Sequence, residues 1–352
     1  MDIVQATSAY EAWMARHTTV IHEHLDHKHA LMAKDPFRFL RGTFYRWVQR
    51  WPDVCGSLTD APTVLAVADV HVENFGTWRD AEGRLVWGVN DLDEAASLPY
   101  TNDLVRLATS ALFAAEQSHF VLSLNAMCNA VLDGYTSALE RGGRPIVLAE
   151  RHAWLREIAV VELRDPKRFW MTLAANPHAI APAAVVRRLA LPKGATGRQI
   201  VSRLAGVGSL GRPRYVALAT YDGGLIGREA KAVIPSAVAW ASGDTRAIPA
   251  SLELSHRAVR AADPFFNVDR RWIVRRLSPD CSKIDVPNLP RGQDDTKLLR
   301  AMGWELANMH LGTPAAAIAK DLRRRPSRWL HTAARDMAAA TLDDFRVWRR
   351  RT

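Results

Sequence analysis

The sequence has few cysteines and no long apolar run. Its three cysteines, Cys55, Cys128 and Cys281, lie far apart and form no CxxC pair, so neither a disulfide framework nor a zinc site is indicated. No stretch of about 18 apolar residues occurs, and the first residues lack the apolar core of a signal peptide. No segment repeats at a fixed period. We therefore expect a cytoplasmic protein that does not enter a membrane.

The positive charge is concentrated at one end of the chain. The net charge at pH 7 is +10, and residues 320–352 contain ten Lys or Arg against four Asp. Basic stretches can bind nucleic acid, but no recognisable nucleic-acid-binding module accompanies this one. We therefore expect a solvated surface or helix end and no nucleic-acid partner.

Four histidines lie close together near the N-terminus: His22, His24, His27 and His29. Metal binding is one interpretation, but this spacing places no clean ligand set on a single helical face. We expect a solvated helix face.

Apolar patterning predicts an α+β protein. Short apolar runs at Leu65–Val67 and Leu85–Val89, bounded by turn residues, predict two strands. Residues 103–139 have the apolar period of two long helices. The segment Ala205–Ile234 alternates strands with glycine turns and predicts a small antiparallel sheet. From Thr296 onward the chain is predicted to be helical.

Acidic and amide side chains recur at short intervals around the first two strands. Asp69 and Asn74 are followed, after a short hairpin, by Asp91 and Asp93. Metal-assisted phosphoryl transfer needs one carboxylate to orient the attacking hydroxyl, and an amide with further carboxylates to hold Mg²⁺ against phosphates. We predict Asp69 as a catalytic residue and Asn74, Asp91 and Asp93 as metal ligands. Asp93 and its neighbour Glu94 alternatively cap a helix.

Three further residues are predicted to support this site. His71 lies inside the loop and either contacts phosphate as a catalytic residue or braces the turn. Asp103 precedes a helix. It either caps that helix or braces the backbone of the Asp69 loop. Arg41 either faces phosphate or braces a helix end. The alternative for the whole set is that these are ordinary turn and cap residues, a role that Asp and Asn favour.

A glycine-rich run followed by a strand predicts a second part of the site. The run contains Gly206, Gly208, Ser209 and Gly211. It precedes a strand, not the helix that a dinucleotide-binding fold requires. A glycine-rich loop between antiparallel strands, with a lysine on the next strand, covers phosphates in protein kinases. We predict that these four residues and Lys231 bind nucleotide, with Glu253 on the following helix holding the ammonium group.

These motifs resemble those of the kinase-like superfamily, which includes aminoglycoside- and choline-kinase-type enzymes. There the catalytic loop reads approximately HGDxHxxN and is followed by IDxxD and by a helix that opens with DLA. The matching positions here are Asp69, His71 and Asn74, then Asp91 and Asp93, then Asp103 and Leu104.

More closely, the chain resembles the bacterial domain-of-unknown-function family 2252. Its hallmarks are PFxFLRG, GDxHxxNFG, NDFDE, DLxRLA and GVGSxG, with a Lys-Glu-Ala-like strand. The counterparts here are Pro36–Gly42, Asp69–Gly76, Asn90–Glu94, Asp103–Ala108, Gly206–Gly211 and Glu229–Lys231. Val67 and Ala68 stand where the family has His-Gly, so a different brace of that loop is expected, and Leu92 replaces a Phe.

The order of the motifs is the reverse of that in an ordinary kinase, where the glycine loop comes first. The resemblance therefore implies a two-lobed, circularly permuted kinase-like fold: a helical catalytic lobe, a small antiparallel β lobe in the middle, and helices at the C-terminus. The expected divisions are residues 1–200, 201–285 and 286–352. Permutation is sterically plausible because the termini of a domain often lie close together.

The resemblance and the motifs together imply an ATP- and Mg²⁺-dependent transferase. It would move a phosphoryl group, or alternatively an adenylyl group, to an unknown hydroxyl-bearing acceptor. A metal-dependent phosphohydrolase using Asp69, His71, Asp91 and Asp93 is one alternative, but it leaves the glycine loop and Lys231 without a role. A nucleotide-binding pseudokinase or scaffold is the other.

Overall fold

A computed structural model describes residues 1–117, 122–148, 151–159, 165–269, 271–281, 283, 294–313 and 315–351. Helices and small antiparallel sheets are mixed along the chain, which confirms the predicted α+β class. None of the described helices combines the length and apolar character needed to cross a membrane.

Four helices open the chain and pack their aromatic side chains into the main core. Asp2 caps the first helix by a reciprocal capping box with Gln5. Asp35 caps the third, which begins with Pro36 at its first position. The helices are α1 (Ile3–Ala15), α2 (His22–Met32), α3 (Pro36–Gly42) and α4 (Phe44–Val54).

Two antiparallel ribbons and two long helices follow. The ribbons pair β1 (Thr63–Ala66) with β4 (Ala96–Pro99) and β2 (Phe75–Arg79) with β3 (Leu85–Val89). The long helices are α5 (Tyr100–Ala115) and α6 (Leu124–Arg141), as the apolar period predicts. The segment ends with β5 (Ile146–Val147), which extends the second ribbon beside β3, and α7 (Ala153–Ala159).

A five-stranded antiparallel sheet forms the middle of the chain, with the strands in the order β6-β7-β8-β10-β9. Short helices precede and interrupt it. In chain order the elements are α8 (Pro166–Ala174), α9 (Ala183–Arg188), β6 (Thr196–Ser202), β7 (Arg214–Tyr221), β8 (Gly224–Ala232), α10 (Ala237–Ser242), α11 (Ser251–Arg257), β9 (Asn267–Val268) and β10 (Trp272–Leu277).

The first expected division, after residue 200, is too late. Strand β6 begins at Thr196, and α8 and α9 pack on the two faces of this sheet. Leu173 of α8 lies in an apolar cluster with Val216, and Val185 of α9 lies in another with Ala217. The packing unit therefore begins at about residue 166, because the apolar faces of these helices have the sheet as their partner. The second expected division, at residue 286, lies outside the described residues.

Three C-terminal helices return to the first part of the chain: α12 (Asp295–His310), α13 (Ala315–Leu322) and α14 (Trp329–Arg349). The last of them packs against α5 and α4, and α12 lies along α6. Two glycines permit the close approach of α12 to α6. A Cβ atom at Gly134 would lie 1.9 Å from the carbonyl oxygen of Arg300, and one at Gly303 would lie 2.0 Å from that of Val131. The two backbones are therefore in direct contact.

We predict that Gly303→Ala destabilises the protein by about 3 kcal/mol, because the methyl group would overlap the backbone of α6. Replacing glycine by alanine inside a helix ordinarily stabilises a protein by about 1 kcal/mol. A loss of stability in Gly303→Ala would therefore indicate the close helix crossing by its sign alone. The measurement is urea unfolding. Gly56→Ala is the matched control, since nothing lies within 4 Å of its Cβ position. Equal stability of the two variants would contradict the close crossing.

Candidate functional site

The two ribbons deliver the predicted acidic residues to one place. In the first ribbon Ala66 pairs with Ala96, so the Asp69 loop leaves the same end at which Asp93 enters. In the second ribbon Phe75 pairs with Val89. The N–H of Asn90 then donates to the carbonyl of Asn74 at 2.9 Å, which sets Asn74 beside Asp91. Strand register, not a contiguous motif, assembles the set.

These residues line a small cavity of about 40 Å³, here called the acidic pocket. It contains nine of the predicted site residues: Arg41, Asp69, His71, Asn74, Asp91, Asp93, Gly206, Gly208 and Ser209. Four others lie outside its lining. Asp103 is fully buried, Gly211 packs on Leu25 of α2, Lys231 contacts Asp91 from β8, and Glu253 is on the surface.

The brace anticipated for Asp103 is present in the contacts. Its carboxylate accepts hydrogen bonds from the backbone N–H groups of Val67, at 2.8 Å, and Ala68, at 2.9 Å. Nε2 of His310 lies 3.1 Å from the same carboxylate, and the hydroxyl of Tyr135 lies 2.8 Å from Nδ1 of that ring. A buried Asp–His–Tyr chain therefore ties the Asp69 loop to α6 and α12. His310 carries no motif that would have identified it.

Ala68 adopts a left-handed backbone conformation, with φ of +69°. Such a conformation costs a residue with a Cβ atom about 1–2 kcal/mol. The family pattern has glycine at this position, for which the conformation is free of that cost. The two hydrogen bonds that the backbone N–H groups of Val67 and Ala68 donate to Asp103 hold the strained peptide in place.

Asp69 is paired with Arg106, a residue that the motif analysis did not single out. Nε of Arg106 donates to Oδ1 of Asp69 at 3.0 Å, and the guanidinium lies 4.9 Å from the ring centres of both Phe44 and Trp47. Arg106 is completely buried. Burial raises the pKa of Asp69 to about 7, although Arg106 acts to lower it. The signal in the sequence was the arginine of the DLxRLA motif, which stands in an otherwise apolar helical turn.

His71 is held as a neutral hydrogen-bond donor. Its Nδ1 accepts the backbone N–H of Glu73 at 3.2 Å, so the ring proton resides on Nε2. Burial and then the nearby Arg41 keep the pKa of His71 well below its usual range. Arg41 in turn pairs with Glu73 at 2.5 Å. Arg41 thus braces the turn and also lines the pocket.

The glycine loop lies directly against the Asp69 loop. It connects β6 to β7, and Gly206 and Gly211 have φ values of +74° and +95° that favour glycine. A Cβ atom at Gly208 would lie 3.2 Å from Oδ2 of Asp69. The side chain of Ser209 faces inward and accepts a hydrogen bond from Arg214 at 2.8 Å.

Lys231 reaches the predicted metal ligands. It lies on β8, and its ammonium group is 3.0 Å from Oδ1 of Asp91 and also contacts Asp93. Burial acts to raise the pKa of Asp91, but Lys231 and other cations lower it well below its usual range. Burial and then the charge of Asp91 raise the pKa of Asp93.

The predicted partnership of Glu253 with Lys231 is wrong. Helix α11 has only seven residues, with Ser251 and Leu254 facing the core. Glu253 therefore points outward, where about half of its side chain is exposed, and it pairs with Arg257 at 2.8 Å.

The acidic pocket has oxygen donors that suit Mg²⁺. Oδ1 of Asn74 is buried without a hydrogen-bond partner in the described part of the chain, and Asp91 and Asp93 line the same pocket. Hard oxygen donors of this kind are the ligands Mg²⁺ takes. Among the described residues, however, no group of three or more His, Cys, Asp or Glu is arranged to hold a metal. Metal binding would need the Lys231 ammonium to release the two carboxylates.

A larger cleft of about 440 Å³ adjoins the acidic pocket, with which it shares Arg41, Gly206 and Lys283. Trp78 and Phe266 are among the aromatic residues that line the cleft. Basic side chains also line it, among them Arg203, which follows β6, Arg214 on β7 and Arg275 on β10. No sequence pattern selects these arginines, because they lie in separate segments of the chain.

Glu305 of α12 holds the end of β3 that leads to Asp91. Its carboxylate accepts from the N–H of Val89 at 3.2 Å and from the amide of Asn308 at 2.9 Å. A Cβ atom at Gly88 would collide with it. Burial raises the pKa of Glu305 to about 7.

Comparison with known proteins supports part of the resemblance. Residues 20–194 match the model of a family described as "uncharacterized protein conserved in bacteria (DUF2252)", which supports the assignment to that family. The motifs from Pro36–Gly42 to Asp103–Ala108 fall inside this range, and the glycine loop and Lys231 fall beyond it. No curated protein and no solved structure gives a significant match.

We predict that Ala68→Gly is at least about 1 kcal/mol more stable than Ala66→Gly. At position 68 glycine relieves the left-handed strain, which offsets the lost methyl group and the added chain freedom. At position 66, in a strand, nothing offsets them. Urea unfolding of both variants is the measurement. Equal losses would show that Ala68 is not strained.

We predict that the stability contributed by Glu305 depends on pH. A raised folded-state pKa means that this contribution is complete below the ordinary value of 4.5 and is lost as pH rises through about 7. Relative to Glu305→Gln, the wild type should therefore lose about 2 kcal/mol of unfolding free energy between pH 5 and pH 8. The exposed Glu253→Gln is the control and should run parallel to the wild type. A parallel curve for Glu305→Gln would refute the prediction.

Proposed function

We propose that this protein is an ATP- and Mg²⁺-dependent phosphotransferase of kinase-like fold that acts on a hydroxyl-bearing acceptor. One observation carries the proposal: the glycine loop lies against Asp69, while Lys231 on the same sheet contacts Asp91 and Asp93. In protein kinases a glycine-rich loop covers the phosphates, a lysine on the third strand pairs with them, and Asp and Asn hold the metal. Here β8, which bears Lys231, is the third strand of its sheet in chain order.

The order of the parts supports a permuted version of that fold. The Asp69 loop precedes the glycine loop in the chain, and the C-terminal helices α12 and α14 pack back on α6 and α5. Catalysis depends on where the groups lie in space, so a change in chain order leaves a kinase-like site intact.

The cleft suits a nucleotide in size and polarity. Ligand pockets commonly have volumes of about 300–1,000 Å³, and this one has about 440 Å³. Trp78, Phe169 and Phe266 offer an apolar surface for a base. Arg214 of the cleft donates to Ser209 of the acidic pocket, and the phosphates of a nucleotide would need to lie beside that pocket.

The residues of the acidic pocket have distinct proposed roles. Asp69 accepts the proton of the attacking hydroxyl, and its pKa of about 7 suits a general base at neutral pH. His71 donates from Nε2 to an anionic oxygen. Asn74, Asp91 and Asp93 would hold Mg²⁺, which when bound supplies neutralisation of charge on the phosphate oxygens. Attack at the α-phosphorus in place of the γ-phosphorus would make the same site an adenylyltransferase.

A nucleotide-binding pseudokinase or scaffold is the second candidate, and specific contacts favour it. Lys231 bridges Asp91 and Asp93, and Arg106 is bound to Asp69. If these ion pairs persist when nucleotide binds, the acids are not free for catalysis. A phosphohydrolase is less well supported, because it gives the glycine loop no task.

We predict that millimolar Mg-ATP raises the melting temperature of the wild type by about 3 °C or more, since a ligand at 100 times its Kd stabilises by about 2.7 kcal/mol. Lys231→Met and Asp91→Asn should remove this shift, measured against the melting temperature of each variant without nucleotide. Glu253→Gln should keep it, because that side chain lies on the surface. Absence of a shift in the wild type would overturn the proposal. Binding without ADP formation over a screen of hydroxyl-bearing acceptors would favour the scaffold.

A further inference from the structure

A buried carboxylate surrounded by three arginines lies on the sheet face that borders the cleft. Glu229 of β8 is completely buried. Its oxygens lie 2.8 Å from Arg203, 3.1 Å from Arg214 and 2.8 Å from Arg275. Against the effect of burial, these guanidinium groups hold the pKa of Glu229 well below its usual range. Three positive charges therefore surround one negative charge.

The three arginines carry more positive charge and more N–H donors than the single carboxylate of Glu229 can match. Each guanidinium carries about five N–H donors, and Glu229 can accept only a few of them. All three arginines line the cleft. Their side chains are 28%, 6% and 19% exposed, in the order Arg203, Arg214 and Arg275. Among the described residues that line this cleft, seven are basic and two are acidic. An unbalanced, partly desolvated basic surface of this kind attracts a multiply charged anion.

The cluster is elongated, and it connects the two halves of the site. Arg214 of β7 donates to Oγ of Ser209 in the glycine loop at 2.8 Å, and it pairs directly with Lys231 of β8. Arg203 follows β6, on the other side of β7, so the row from Arg203 to Lys231 crosses three neighbouring strands, a distance of about 10 Å. One phosphate group cannot contact both ends of such a row. A chain of two or three linked phosphates can.

We propose that Arg203, Arg214 and Arg275 form a binding site for a chain of linked phosphates, the di- or triphosphate tail of the donor. The site rests on the proposed function in that it lies in the nucleotide cleft, but it assigns the phosphate contacts to residues beyond the glycine loop and Lys231. Glu229 positions the three guanidinium groups, and the excess positive charge faces the ligand. The substrate class is thereby a linked polyphosphate and not a monophosphate.

Isothermal titration calorimetry of the full chain with inorganic tripolyphosphate and with orthophosphate, at fixed salt, tests this site. Wild type should bind tripolyphosphate at least about tenfold more tightly than orthophosphate. Arg203→Gln, which removes the most exposed arginine of the cluster, should weaken tripolyphosphate binding about tenfold or more. Arg188→Gln is the matched control: this arginine lies on α9 of the same lobe, outside the cleft, and is also paired with one acid, Asp269. It should leave binding unchanged.

The outcomes distinguish a failure of the arginine-cluster assignment from a failure of the proposed function. Equal weakening by Arg203→Gln and Arg188→Gln, or no preference for tripolyphosphate over orthophosphate, would overturn the cluster assignment. If Mg-ATP binds but tripolyphosphate does not, the cluster assignment fails while the proposed function stands. If tripolyphosphate binds and Mg-ATP does not, the cluster assignment stands while the proposed function fails. Should Arg203→Gln fail to fold, Arg203→Lys keeps the charge but loses donors, and it is expected to bind several-fold more weakly than wild type.

Discussion

The buried carboxylate of Asp103 is the contact on which the arrangement of the site depends. It lies on α5, but it accepts hydrogen bonds from the loop that carries Asp69 and contacts His310 of α12. A buried carboxylate without such partners would be strongly unfavourable. The loop, α5 and α12 must therefore come together for any one of them to be satisfied. Because α12 lies far along the chain, the Asp103–His310 contact joins the Asp69 loop to the C-terminal part of the protein.

Charge is distributed unevenly across the site, and this unevenness separates its two halves. In the acidic pocket, Asp91 and Asp93 share Lys231, and Asp69 is matched by Arg106, so negative charges have positive partners at hand. On the sheet face above it, Glu229 is outnumbered by arginines. A linked phosphate chain entering the cleft would meet excess positive charge first. It would also compete with Asp91 and Asp93 for Lys231, and release of that ammonium is what a metal ion in the pocket requires.

Features that depend on neighbouring residues could be predicted from the sequence, and contacts between distant segments could not. The strands around Asp69, Asn74 and Asp91 and the two long helices follow from local apolar periods and turn residues, which depend on nearby sequence alone. The assignment of Glu253 to Lys231 failed because it assumed a longer helix aimed at the cleft, whereas α11 is short and turns that side chain to solvent. The domain division failed for a related reason: α8 and α9 have apolar faces, but a helical pattern does not say which surface covers them.

By itself, the sequence determined the α+β class, the spacing of the oxygen ligands and the presence of a glycine-rich loop before a strand with a lysine, because each is a property of neighbouring residues. Only the tertiary structure decided which distant charges meet. Arg106 with Asp69, His310 with Asp103, and the arginines around Glu229 are joined by strand register and helix packing. Burial then sets the charge state of these groups, and burial is a property of the assembled protein that no local pattern contains.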